Sequence, residues 1–137
     1  MIQPNELRIG NALEYFVEDS LAESEWILNI VDADDIVLAC KDEYFNKYYR
    51  PIPLTPEILE KCGFEKGTTE WYSKKYFTDL NEVAEVMELQ INLKSFRCSV
   101  FDTDLEGCAM TAKRIKYLHQ LQNLHFALTG EELTFKP

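Results

Sequence analysis

Apolar and polar residues alternate along this chain with two different periods. In Met87-Glu88-Leu89-Gln90-Ile91-Asn92-Leu93 the period is two, which predicts a strand with one buried face. Phe96-Arg97-Cys98-Ser99-Val100 alternates in the same way, and Lys94-Ser95 between the two runs predicts a hairpin reversal. Trp71 to Phe77, after a loop at Gly67, predicts a further strand, while Asn81 to Val86 fits helix and strand equally. From Lys113 to Leu128 the period becomes helical. At 100° per residue Tyr117, Leu118, Leu121, Leu124, His125 and Leu128 form one stripe, opposite Lys116, Gln120, Asn123 and Ala127. Ile115, His119, Gln122 and Phe126 flank that stripe, and Thr129-Gly130 predicts the end of the helix.

The N-terminal part reads as short β segments. Leu7 to Phe16 predicts a strand broken at Gly10-Asn11, and Val17 to Glu25 an acidic loop. Trp26 to Val31 and Ile36 to Cys40 predict two strands joined by a four-residue hairpin, Asp32-Ala33-Asp34-Asp35. Together they suggest a small antiparallel, barrel-like sheet. Lys41 to Arg50 reads as a connector, followed by an extended Pro51-Ile52-Pro53, because proline lacks an amide donor and restricts the residue before it. The short helix beyond it is signalled at both ends. Thr55 caps it, Pro56 takes the first helical position, Leu54 and Leu59 form a hydrophobic staple, and Gly63-Phe64 closes it in a Schellman ending.

The expected fold is therefore α+β, with one domain over residues 1–137. It comprises an acidic β region at 1–50, a connector and short helix at 51–64, a β region at 68–101 and a C-terminal amphipathic helix at 113–128 that packs on the sheet. A length of 137 residues and a 46% apolar content suffice for one such core.

Charge changes the picture in one place. The net charge is −10, and the first 35 residues, with one base (Arg8) against nine acids, hold −8 of it. A field of that sign disfavours direct binding of nucleic acid or anionic lipid. Met1 to Glu6 shows no export signal and no apolar run reaches membrane-spanning length, so a cytoplasmic protein is expected. Cys40, Cys62, Cys98 and Cys108 lack paired CxxC spacing and read as free thiols.

Reactive groups are sparse. A cysteine or serine nucleophile needs a base, and His119 and His125, six positions apart on one helix, diverge by about 120°. His125 lies within the apolar stripe and reads as a core residue. Asp32, Asp34 and Asp35, and again Asp102 and Asp104, have the oxygen chemistry of a hard-cation site but lack the remainder of a calcium loop, and turn formation explains them. No cofactor motif is present, and no oligomeric state is written in the pattern. Tyr44, Phe45, Lys47, Tyr48, Tyr49 and Arg50 have the aromatic and basic texture of single-strand binders, although Asp42 and Glu43 precede them.

Three stretches resemble a family of small uncharacterised proteins from phages and prophage-like regions of gut bacteria. They are Glu6 to Asn11, Pro51 to Phe64, and the signature IKYLHQLQNLHFALTGEEL from Ile115 to Leu133, together 39 of the 137 residues. The resemblance implies a phage or mobile-element setting and brings no activity with it. His125 stands where the family pattern has tyrosine, and neither the acidic stretch before Trp26 nor Asp79 to Val86 matches it.

The polar signature positions His119, Gln120 and Asn123 suggest a partner-binding helix face. The expected function is thus a non-enzymatic, phage-associated accessory protein. It would bind another protein with a basic surface, such as a host defence component, through this helix face or its acidic N-terminal part. The alternatives are a nucleic-acid module using Tyr44 to Arg50, or a metal-dependent enzyme using the Asp clusters.

Overall fold

The computed structural model describes residues 1–19, 21, 23–80, 83–102, 107–111 and 113–136, with backbone alone at 77–80, 83–86, 102, 107 and 108. The chain is α+β and divides into two compact units. One is Met1–Pro53 with Tyr117–Leu133, the other Leu54–Lys116 with Thr134–Pro137.

In the first unit Pro4–Glu6 forms a single 3-10 turn, and Gly10, at φ +92°, turns the chain into strand β1 (Ala12–Val17). Strand β2 (Glu25–Ile30) pairs antiparallel with β1 from Ala12↔Ile30 to Val17↔Glu25. Beyond it the predicted hairpin is absent. Asp32 to Asp35 instead forms a capping box: the Asp32 carboxylate accepts the Asp35 N–H (3.0 Å) and the Asp35 carboxylate accepts the Asp32 N–H (3.1 Å). Two orphan donors are satisfied at once, so Ile36 to Cys40 lies in helix α1 (Ala33–Lys41) rather than in a strand. A five-residue apolar run does not separate the two by period alone, and the cap decided it.

The predicted connector also holds a one-turn helix, α2 (Phe45–Tyr48), and then strand β3 (Tyr49–Pro51), antiparallel on the other side of β1. The sheet order β2-β1-β3 is open, so the barrel-like closure expected of this region does not form. Ile2, Leu7, Leu13, Val31, Phe45 and Tyr49 make its buried core, with Tyr15, Ile36, Ala39 and Tyr48 packed against them.

Helix α4 (Leu118–Thr129) completes the first unit and packs on β1, as expected of the C-terminal helix. It starts five residues later than its periodicity predicts. Backbone groups of the preceding segment are already bonded in extended form: Ile115 N–H donates to Phe96 C=O (2.7 Å) and Lys116 C=O accepts Leu54 N–H (2.9 Å). Tyr117 bridges Pro53, and Leu118 N–H donates to Ile52 C=O (2.9 Å). The buried face comprises Leu118, His119, Leu121, Gln122 and His125, while Leu128 is exposed, so the face is turned toward Gln122 relative to the leucine stripe. Gly130 at φ +72° ends the helix.

The second unit opens with α3 (Pro56–Lys61), where local chemistry and geometry agree at both ends. Thr55 Oγ1 accepts the Ile58 N–H, Gly63 sits at φ +84°, and the pair Phe64 N–H to Leu59 C=O and Gly63 N–H to Glu60 C=O (both 2.9 Å) forms the Schellman ending. A five-stranded antiparallel sheet follows in sequential order. Its strands are β4 (Glu65–Lys66), β5 (Trp71–Leu80), β6 (Val83–Asn92), β7 (Cys98–Asp102) and β8 (Gly107–Met110). Val83 to Val86, ambiguous in sequence, is strand; Asn81 and Glu82 lie outside the described residues. The alternation of two is observed directly, with Leu89, Ile91 and Cys98 buried on one face.

Candidate interaction edge

The polar residues of the C-terminal signature lie inside the first unit. Gln122, buried, accepts the Ala12 N–H (2.8 Å) and donates to Gly10 C=O (3.3 Å). Asn123 donates to Glu6 C=O (2.6 Å) and accepts from Asn11 (3.0 Å) and Arg8 (3.3 Å). Arg8 also stacks on Phe126 at 3.8 Å and pairs with Glu132. Two of the resembling stretches, Glu6 to Asn11 and the helix, are thus bonded to each other. Asn123 has an internal reason to be polar.

His119 is 1% exposed, and both ring nitrogens lack a hydrogen-bond partner. Burial holds its pKa below the usual histidine value, with Glu6 acting in the opposite direction, which favours the neutral ring. A side chain so enclosed offers no surface, and the expected helix-face site loses this residue. Gln120 is half-buried and its Oε1 accepts the Tyr117 N–H (3.3 Å) at the helix start. His125, also buried, has its Nδ1 2.9 Å from Glu131 C=O, the core role its place in the apolar stripe suggested.

The other candidate chemistries separate in a similar way. Asp35 joins three elements, accepting from Tyr49 Oη (2.7 Å), Asn29 (3.0 Å) and the Asp32 amide. Desolvation raises its pKa, but those three hydrogen bonds together outweigh it and hold the carboxyl below its usual value. Its oxygens are occupied in holding the fold. Asp102 to Asp104 falls outside the described side chains, and among the described residues no group of three or more His, Cys, Asp or Glu is placed to hold a metal.

In the aromatic and basic segment, Phe45 and Tyr49 are buried and stacked at 4.2 Å, and Arg50 pairs with Glu14 and lies 4.1 Å over Trp26. Phe45 and Tyr49, packed this way, present no platform to bases, which leaves Tyr44, 58% exposed, as the one well-exposed ring of the segment. Burial pushes the thiols of Cys62 and Cys98 up to about 11 and about 12, so both are protonated at neutral pH. In the second unit a half-open concavity of about 310 Å³ is lined by Gly67, Thr68, Trp71, Ser73, Glu88 and Gln90, without a histidine or cysteine.

The outer edge of β2 in the first unit is uncovered by any described residue. Val31 N–H donates to Asn11 C=O (2.8 Å), which sets the antiparallel alternation. Glu25, Ile27 and Asn29 then bond to β1, and Trp26, Leu28 and Ile30 point their backbone N–H and C=O away from it. Those outward groups have no partner among the described residues.

The side chains along this edge are apolar on both faces. Ile27 is 41% exposed, Leu28 39% and Ile30 55%. Trp26 is half-buried against Phe16 (5.2 Å) and Arg50. Glu18, Asp19, Glu23 and Glu25 precede or begin the strand and Asp32 and Asp34 follow it, all exposed. The strand and the charge are each legible in the sequence, but they become one sheet edge only once β3 takes the other side of β1.

No protein-family model, curated protein or solved structure matches this chain. Among the described residues no helix is long and apolar enough to cross a membrane.

Proposed function

We propose that this protein is a non-enzymatic accessory module, cytoplasmic in a bacterial cell, that binds another protein with a basic surface through its first unit. One observation carries the reading: the open edge of β2 joins exposed apolar side chains to unpaired backbone groups, with carboxylates at both ends. Natural sheets normally blunt such an edge with Lys, Pro or a bulge, and Glu25-Trp26-Ile27-Leu28-Asn29-Ile30 contains no Lys or Pro. An exposed apolar patch rimmed by charge marks an interaction site, and an acidic rim speeds encounter with a basic partner. The phage or mobile-element setting belongs to the same proposal and rests on the resemblance of the three sequence stretches.

The test is capture of a partner on the immobilised full chain from bacterial lysate at low salt, its identification by mass spectrometry, and reconstitution with the purified partner. Changing Glu18, Glu23 and Glu25 to Gln and Asp34 to Asn should weaken the reconstituted complex, as should raising the salt from 50 to 500 mM. Binding that ignored both changes would remove the acidic edge from the interface.

A further inference from the structure

The outward backbone groups of β2 narrow the class of partner. Resting on the reading above, we infer that β2 takes up an extended segment of the partner as a fourth strand, ordered ahead of β2 in the β2-β1-β3 sheet. The segment would carry alternating apolar residues at its centre and Lys or Arg at its ends.

Three features lead to this class of occupant. The outward N–H and C=O groups of Trp26, Leu28 and Ile30 recur at the spacing of a strand ladder, so a backbone satisfies them better than a side-chain surface does. Apolar side chains stand on both faces of β2, Leu28 and Ile30 on one and Ile27 on the other, so an incoming strand finds apolar neighbours whichever way each of its side chains points. The charge is placed at the ends, with Glu23 and Glu25 at one and Asp32 and Asp34 at the other, which favours a segment basic at its termini. The same charges disfavour a second copy of this chain, because pairing β2 with β2 would bring carboxylates together at both ends.

The other edge of the sheet is closed to this mode. Register places Glu14 and Arg50 in the bonded pair between β1 and β3, so Tyr49 and Pro51 face outward. Pro51 has no N–H, and the Tyr49 N–H donates to Phe45 C=O. Neither outward donor is available there, whereas all three on β2 are. A strand can therefore be added on one side of this sheet and not on the other.

The experiment uses the full chain and a synthetic peptide, Lys-Lys-Val-Thr-Val-Thr-Val-Lys-Lys with blocked termini. Two further forms are N-methylated, one on the three valines and one on the two threonines. Methylation removes donors from one edge of the peptide strand only, so one form should lose at least about tenfold in affinity and the other should bind within about threefold of the parent. Leu28→Pro, which removes an outward donor and leaves the β1 ladder intact, should weaken the parent peptide by about tenfold with an unchanged circular dichroism spectrum.

If both methylated peptides bind alike, strand addition is wrong, while a salt-sensitive surface interaction still stands. Absence of any peptide binding at 50 mM salt would overturn strand addition as well. The wider reading is judged separately, by the reconstituted partner and the carboxylate variants. The methylated peptides need no altered protein, so the result does not depend on whether Leu28→Pro folds.

Discussion

Strands β2 and β3 flank the same central strand, yet one edge is sealed and the other is open. On β3 the sealing is chemical: a proline occupies one outward position, and the amide of the other is turned back to end α2. Its central residue, Arg50, has its charge taken by Glu14 and its flat face laid on Trp26. On β2 the corresponding positions are Trp26, Leu28 and Ile30, whose amides have no partner among the described residues, and the Leu28 and Ile30 side chains are exposed. One short sheet thus contains both the usual protection against edge pairing and its absence. The open edge is thus a local property of β2 and not a general looseness of the unit, because the core beside it, at Leu13 and Val31, is fully buried.

Loss of the inner ladder of β2 costs the most. Asn29→Pro removes an inward donor to β1 and the bond to Asp35, and should lower unfolding stability by about 3 kcal/mol or more in urea titration. Gln122→Ala acts on β1 itself. It leaves the buried Ala12 N–H and the Gly10 C=O without their partner and should destabilise by about 2 to 3 kcal/mol, read as a fall in urea midpoint at unchanged slope.

Asp35 ties β2 to β3 through Asn29 and Tyr49, so its effect is shared by both edges. Asp35→Asn should cost about 1 to 2 kcal/mol near neutral pH. Because the folded pKa is lowered, the carboxylate's contribution is fully present above the unfolded value near 4 and is lost as pH falls through the folded value. The wild-type protein should therefore lose stability on acidification over that interval more steeply than Asp35→Asn, as thermal unfolding at graded pH will show.

Proline on the outward side of β2 costs the least. Leu28→Pro, one residue from Asn29, should change stability by less than about 1 kcal/mol because its amide faces outward, as Pro51 already does on β3. Equal losses for Pro at 28 and at 29 would show the assigned alternation of β2 to be wrong.

Legibility in the sequence followed the range of the interactions. Helix α3 was readable at both ends, since Thr55, Pro56, Gly63 and Phe64 act on their own backbone within a few residues. Helix α1 was missed although its capping box is equally local, because Asp-Ala-Asp-Asp between two apolar runs also has the composition of a hairpin turn. Helix α4 was placed but its start and its buried face were not. Its first turn yields to pairing with distant backbone at Ile52 and Pro53, and Gln122 is drawn inward by the unpaired amide of Ala12. The polar signature positions His119, Gln120 and Asn123 suggest a surface, while in the fold His119 is enclosed and Asn123 binds the turn at Asn11.

The α+β class, the existence of most strands, the caps of α3 and the concentration of negative charge before residue 36 are all written within single segments of the chain. These depend on side-chain period, on short-range hydrogen bonds and on counting. Which face of α4 is buried, the enclosure of His119, and the open edge on β2 rather than β3 follow from the packing of distant segments. Those outcomes depend on which backbone donors remain once distant segments have paired, and no period within a single segment encodes that remainder.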